Sequence, residues 1–305
     1  EFVQVVRMTK AQVNGIEIEY EIWGDDDAQP LLLVGGLGVQ LTRWSKPLCD
    51  ALMARNFKII AYDNRDVGLS TKHDDWGPAD TKAAFAQARA KEKVSAPYTL
   101  EDMAADAAGL LDALGIEKAH VIGSSNGGAI AQILAMDFPG KVMTLTCVMA
   151  TSGRRGLARP EGASAEWLTR PRNPSGSREG AMDEAVETAQ INGSKTFPRP
   201  EAELRQEAGE QYDRCFYPDG NGRHLLASVA SGDSRVGRLS EITAPTLVIH
   251  GREDPLIPLP GGEDIKNSIP GAELLVIEGM AHDFPDQVIP EITDAIERNA
   301  RRGPV

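Results

Sequence analysis

The chain is short of cysteine, of basic charge and of long apolar runs, and each shortage removes a class of function. Only three cysteines, Cys49, Cys147 and Cys215, occur in 305 residues. Widely spaced and odd in number, they make neither a zinc pattern nor a complete disulfide set. Cys147 sits in an apolar run, where a thiol serves as a small hydrophobe. A reducing compartment fits this usage, so a cytoplasmic location is expected. Thirty-two Lys and Arg residues face 45 Asp and Glu, a net charge of −13. That balance argues against nucleic acid and anionic membrane as partners. No apolar stretch is long enough to span a bilayer, and the first residues lack the h-region of a secretory signal. Membrane insertion is therefore not expected. The remaining composition, 41% hydrophobic and 25% charged, is that of a soluble globular protein. Its length suits one large α/β domain or two ordinary ones.

The apolar pattern predicts strands alternating with helices. Residues 3–8 and 16–23 read as strands, the second with Ile16, Ile18, Tyr20 and Ile22 alternating with Glu17, Glu19 and Glu21, the period of a half-buried antiparallel strand. Asn14-Gly15 is a hairpin-type turn. Leu31–Val34 is a continuous apolar run of the kind buried on both faces of a parallel sheet. Phe57–Tyr62, Val142–Ala150, Pro245–His250 and Ala272–Ile277 read as further strands, and their alternation with helices implies a mainly parallel sheet covered on both faces. Helices are expected over Leu41–Arg55, about Asp80–Lys91, Thr99–Leu114 and Pro285–Arg301. Thr99 and Asp102 form a capping pair at the start of the third, and Gly115 stops it. No internal repeat is present. The strand pattern lapses from about Ser152 to Arg238. Helical patterns there, near Ser177–Ala189, Glu201–Phe216 and Arg223–Ser231, read as a helical cap inserted into the strand-rich body. The expected division is thus a core of residues 1–151 and 239–305 with a cap of 152–238. Phe197, Tyr212, Phe216 and Tyr217 are expected to pack the cap, some of them facing a pocket. Trp76 or Phe85 could line another wall.

Chemistry concentrates in Ala119–Gln132, a short apolar strand that runs into a helix. Gly123, Ser125 and Gly127 stand there as Gly-x-Ser-x-Gly, the nucleophile-elbow pattern. A serine on so tight a turn is pushed out of the sheet, and side chains two residues to either side would collide. Gly35-Gly36-Leu37-Gly38 follows another strand end, where a glycine-rich turn lets backbone N–H groups approach a ligand. It reads as half of an oxyanion hole, or as a plain tight turn. The polar turn Asp63–Ser70 reads as structural, bracing neighbouring loops through side-chain pairs.

A serine needs a base, and only five histidines are available. His120 starts the elbow strand, at the wrong end for chemistry. His250 is expected to pack or hydrogen-bond beside an acidic turn, His73 lies in a polar loop, and His224 in the cap is an outside candidate for substrate contact. His282 alone follows the last strand. For the acid, Asp254, in Gly-x-x-Asp-Pro directly after a strand, is preferred to Glu253 and Asp264. Ser124 lacks flanking glycines at the correct offsets and is read as structural. In an open parallel sheet, chemistry gathers at the C-terminal strand ends, and Ser125, Asp254 and His282 all fall there.

On these motifs the chain resembles an α/β-hydrolase of the esterase type. They are Leu-Leu-Val-Gly-Gly-Leu-Gly, Tyr-Asp-Asn-Arg-Asp-Val-Gly-Leu-Ser, Gly-Ser-Ser-Asn-Gly-Gly, Gly-Arg-Glu-Asp-Pro-Leu-Ile-Pro and Glu-Gly-Met-Ala-His. Within that family it is most similar to the aclacinomycin methylesterase-like group. The resemblance implies the α/β-hydrolase fold, a Ser125-His282-Asp254 triad and an oxyanion hole made by the Leu37 and Asn126 backbone N–H groups. Gly35-Gly36 stands where the family usually has His-Gly. The expected function is a carboxylesterase that needs no cofactor or metal and takes a small-molecule ester. Lactone hydrolysis, C–C bond hydrolysis and perhydrolysis remain alternatives of the same fold, as does a non-catalytic receptor. The oligomeric state stays open between monomer and homodimer.

Overall fold

The computed structural model describes residues 9–303. The strand expected over 3–8 lies outside the described residues. The first described strand is β1 (Thr9–Val13), paired through the Asn14-Gly15 turn to β2 (Ile16–Trp23). Both turn residues have positive φ, 49° and 78°, which suits the right-handed twist of a two-residue hairpin. β3 (Gln29–Val34), β4 (Phe57–Tyr62), β5 (Ala119–Ser124), β6 (Val142–Val148), β7 (Thr246–Gly251) and β8 (Glu273–Ile277) complete an eight-stranded sheet of order β1-β2-β4-β3-β5-β6-β7-β8. β2 pairs antiparallel with β1 and β4, and all later pairs are parallel. The expected mostly parallel sheet is therefore present.

The continuous apolar runs are explained by two cores, one on each face. Leu32 and Val34 of β3 point into one, while Leu31 and Leu33 point into the other. Successive strand residues face opposite ways, so a strand covered on both sides must be apolar throughout. The first face is covered by α3 (Leu100–Ala113), α4 (Asn126–Asp137) and α9 (Pro260–Ser268). The second is covered by α1 (Lys46–Met53) and α10 (Ile289–Ala300). Each fully buried Leu or Ile contributes roughly 1.5–3 kcal/mol. The alternation in β2 is only partly realised. Ile16 and Ile18 are buried, but Ile22 is exposed and Glu19 is buried too. The loop after β4 covers Glu19, whose N–H donates to Ser70 Oγ at 2.9 Å and whose C=O accepts from the Asp63 N–H at 3.0 Å.

The helix expected over Leu41–Arg55 is broken. A 3₁₀ turn, Leu41–Arg43, comes first, and α1 starts only after Ser45, which caps it by accepting from the Leu48 N–H. Pro47 in the first turn suits that start, because its missing N–H would have no intrahelical partner. The last predicted helix divides in the same way into a 3₁₀ turn, Asp286–Val288, and α10. The Thr99–Asp102 capping box is present at α3. Between β6 and β7 the described chain holds four α-helices, a 3₁₀ helix over Val236–Glu241 and no strand. The α-helices are α5 (Gly162–Thr169), which the sequence pattern missed, α6 (Arg178–Asn192), α7 (Glu201–Arg214) and α8 (Asp219–Ser231). α2 (Thr81–Ala90) packs against α8.

The turn after β4 joins these helices to the sheet, as its polar sequence implied. Asp63 accepts from the Leu41 N–H at 2.7 Å, the Leu69 N–H at 2.8 Å and Arg214 of α7 at 2.7 Å. Arg65 forks onto Asp106 of α3 with two bonds of 2.6 Å. Asp66 takes Arg223 of α8 at 2.6 and 3.0 Å, the Tyr98 hydroxyl at 2.8 Å and the His73 N–H at 3.0 Å. All these carboxylates are buried. Bidentate, fully hydrogen-bonded pairs are the form in which buried charge is tolerated.

Candidate active site

Ser125 sits between β5 and α4 with φ 54° and ψ −122°, a conformation a non-glycine residue holds at a cost of about 1–3 kcal/mol. Close packing imposes it. A Cβ on Gly123 would lie 2.3 Å from the Gly127 carbonyl oxygen, and one on Gly127 would lie 2.1 Å from that of Val34. Gly128 is equally constrained, with Ala150 Cβ 2.4 Å away from any added Cβ, although it lies outside the motif.

His282 follows β8, and its Nε2 stands 3.1 Å from Ser125 Oγ. Its Nδ1 stands 2.8 Å from Asp254 Oδ2. A carboxylate oxygen only accepts, so Nδ1 carries the hydrogen and Nε2 is free to accept from the serine hydroxyl. Asp254 is held by the Leu256 and Ile257 N–H groups, which donate to Oδ1 at 2.9 and 2.8 Å. The two loops meet because β7 ends in Gly251, where any Cβ would lie 2.2 Å from the Met280 carbonyl oxygen. The C-terminal end of α6 and the residues just after it also fix the histidine: the His282 N–H donates to the Asn192 C=O at 3.0 Å, and the Ala281 N–H donates to Ser194 Oγ at 2.9 Å. The structure thus brings Ser125, His282 and Asp254 into one hydrogen-bonded line. That arrangement can move a proton from the hydroxyl to the imidazole while the carboxylate steadies the cation formed.

The competing residues are occupied elsewhere. Asp264 pairs with Arg154 at 2.8 Å, and Glu253 is exposed. Ser124 is buried at the end of β5. His120 bonds Thr144 Oγ1 at 2.8 Å and Gln29 Oε1 at 2.9 Å, at the opposite end of the sheet. His73 tilts against Tyr98. His250 donates from Nε2 to the Ile257 C=O at 2.8 Å and so supports the Asp254 loop; burial holds its pKa below the usual histidine value. His224 requires a correction, because it is fully buried and is no substrate contact. Its Nδ1 accepts from the Gly38 N–H at 3.1 Å while Nε2 donates to the Arg65 C=O at 2.7 Å. Its burial likewise lowers its pKa, favouring the neutral ring that these two bonds require.

His224 therefore positions the Gly35–Gly38 loop, together with Asn64, whose Nδ2 donates to the Gly35 C=O at 3.1 Å. Sequence reasoning missed this pair; the only signal was a cap histidine without a surface role. The loop passes close to the nucleophile: a Cβ on Gly36 would lie 3.4 Å from Ser125 Cβ and 4.0 Å from Oγ. The Leu37 N–H takes part in none of the hydrogen bonds among the described residues. The Asn126 N–H opens α4, where no intrahelical acceptor exists.

A cavity of about 1730 Å³ lies over the site, lined by Ser125, His282, Leu37 and Asn126 together with residues of α5–α8. Phe85, Tyr212, Phe216 and Tyr217 line it, whereas Phe197 packs on the α1 and α10 side of the core. Trp76 is half exposed and lines no part of the cavity. No group of His, Cys, Asp and Glu that could hold a metal occurs among the described residues. No helix among the described residues is long and apolar enough to cross a membrane.

A doubly covered parallel sheet, with an elbow serine and a histidine-carboxylate pair on its strand ends, has the form of a hydrolase. The model of the alpha/beta hydrolase fold family matches residues 29–287, and the chain belongs to that family. Relatives agree. The chain is 28% identical to the rhodomycin D methylesterase DnrP of Streptomyces peucetius, over 94% of this chain and 97% of that protein. It is 29% identical to a 2-hydroxymuconate semialdehyde hydrolase of Pseudomonas sp. (strain CF600), over 83% of this chain and 80% of that one. Among solved structures, a thermophilic esterase from Thermogutta terrifontis superposes with a TM-score of 0.71 at 25% identity, covering 97% and 98% of the two chains. The protein is a hydrolase, and its resemblance to the methylesterase group holds over nearly the whole chain.

Proposed function

We propose that the protein is a serine carboxylesterase working through an acyl-enzyme, with Ser125 as nucleophile, His282 as general base and acid, and Asp254 as the carboxylate that orients the imidazole. The observation that carries this reading is the unbroken line from Ser125 Oγ through His282 to Asp254, with contacts of 3.1 and 2.8 Å. Ser125 attacks the ester carbonyl as His282 takes its proton. The oxyanion is received by the Leu37 and Asn126 N–H groups, an assignment supported by the closeness of the Gly36 backbone to Ser125 and by the free Leu37 donor. One such donor is worth about 3 kcal/mol in the transition state. His282 then protonates the leaving alkoxide and activates water to release the acid. The methylesterase relatives support an ester rather than another acyl substrate. A core of residues 1–151 and 239–305 with a cap of 152–238 accords with the four strand-free helices over the site. Three free cysteines fit a cytoplasmic location. The test is Ser125→Ala: hydrolysis of p-nitrophenyl acetate falls at least about 10³-fold with the fold retained, and near wild-type turnover would refute the assignment.

A second reading, cleavage of bulky lactones by the same residues, is favoured by one observation. The cavity exceeds the roughly 300–1,000 Å³ usual for small-ligand sites. A panel of linear esters and macrocyclic lactones separates the two.

A further inference from the structure

The cavity has a charge opposite to that of the protein. The chain carries −13, yet eleven Lys and Arg residues line the cavity against six Asp and Glu. Several of the lining cations have carboxylate partners, among them Arg154 with Asp264, Arg155 with Asp233 and Arg172 with Glu184. Others, such as Arg89, Lys93 and Arg159, are exposed, and water solvates their charge.

Arg235 is different. It is only 5% exposed, yet among the described residues it makes no ion pair. Its hydrogen-bond partners are neutral: Nε donates to Gln132 Oε1 at 3.2 Å and Nη2 to the Thr151 C=O at 3.3 Å. Nη1 takes part in no hydrogen bond among the described residues, although the side chain lines the cavity. Gly153, at φ 84°, leaves the space the guanidinium fills, since a Cβ there would lie 2.7 Å from Nη2. The anionic influence on it is Glu101, which is itself held by the Ser231 and Ser234 hydroxyls at 2.6 and 2.9 Å. Burial draws the Arg235 pKa down to about 10, which still leaves it charged at neutral pH. A buried cation without its own counter-ion is costly unless a ligand supplies one.

We infer that Arg235 forms a subsite for a carboxylate carried by the substrate, so that the preferred esters are acidic ones, such as half-esters of dicarboxylic acids. The inference rests on the esterase reading, since Arg235 and Ser125 line one cavity. The planar guanidinium fork suits a carboxylate, and the surrounding cationic lining draws it in. Arg235 touches the part of the substrate remote from the reacting carbonyl, so it acts on specificity.

The experiment compares p-nitrophenyl hemi-esters of succinate, glutarate and adipate with p-nitrophenyl alkanoates of matched length. The expected wild-type ratio of kcat/KM, acidic over neutral, is about 10 or more for at least one length. In Arg235→Gln this ratio falls about tenfold or more, chiefly through KM, and Arg235→Lys restores part of it. A wild-type ratio at or below one, or an unchanged ratio in folded R235Q, would overturn the inference. Calorimetric titration with glutarate tests the subsite independently of turnover and of the folding of R235Q. Binding to wild type and S125A alike, weakening as salt rises, supports the subsite; no binding to wild type at millimolar glutarate overturns it. If wild type hydrolyses no ester at all, the esterase reading fails while the glutarate titration still decides the subsite.

Discussion

Replacing Arg223 by methionine should destabilise the protein more than any surface ion-pair change. Arg223 is 1% exposed, and it forks onto the buried Asp66 at 2.6 and 3.0 Å. Without it, Asp66 keeps only the Tyr98 hydroxyl and the His73 N–H, and a carboxylate is left buried without a counter-charge. Loss of one partner from such a pair costs about 3–5 kcal/mol. Asp66→Asn alone leaves the cation with neutral partners, the Gly77 C=O and the Tyr217 hydroxyl, and costs a similar amount. The double variant removes both charges, so its loss should be well below the sum of the two. Urea unfolding followed by tryptophan fluorescence and far-UV circular dichroism measures all three. By contrast, Arg178 pairs with Asp213 on the surface, where water already solvates both charges, and its removal should leave stability nearly unchanged. If R223M loses under about 1 kcal/mol, or if the single effects simply add, the pair does not couple α8 to the sheet.

Other outcomes follow from the same contacts. Gly127→Ala should abolish activity and solubility together, because its Cβ would stand 2.1 Å from the Val34 backbone oxygen, which cannot yield; soluble, active G127A would refute the elbow packing. His120 is buried with its pKa lowered to about 4, so protonation opposes the fold. Its share of stability is complete above about pH 6.5 and is lost as pH falls towards 4, on the order of 3 kcal/mol. His120→Leu should flatten the acid limb of stability measured by chemical unfolding, leaving the parallel contributions of the buried His224 and His250. The Cys49 and Cys147 thiols, pushed up to about 12 by burial, should resist an aromatic disulfide reagent at pH 8 in the native state, whereas the half-buried Cys215 reacts first.

Much of the fold was legible because burial on two faces leaves a one-dimensional mark. Leu31–Val34 is apolar without a gap, and Phe57–Tyr62 is broken only by the half-exposed Lys58, since both sheet faces are covered. The elbow was legible because its steric demand acts over two residues of local sequence. What stayed hidden depends on distant contacts. Nothing near Gly128 announces Ala150, and nothing near His224 announces the Gly38 N–H it accepts. Glu19 matched an exposed strand position until the Ser70 loop covered it. The break before α1 was readable in Ser45-Lys46-Pro47, yet a continuous amphipathic pattern masked it. The short α5 lacks both a side-chain cap and a strong apolar stripe, so periodicity could not find it.

The central claim is that Ser125 is the nucleophile and His282 its base. The most direct measurement is intact and peptide mass spectrometry after exposure to diethyl p-nitrophenyl phosphate, an analogue that traps an activated serine. One diethylphosphoryl group should appear per chain, on Ser125, absent in S125A and formed at least about 10³-fold more slowly in His282→Gln. Labelling at another residue, or an unlabelled Ser125 in protein that still hydrolyses p-nitrophenyl acetate, would contradict it.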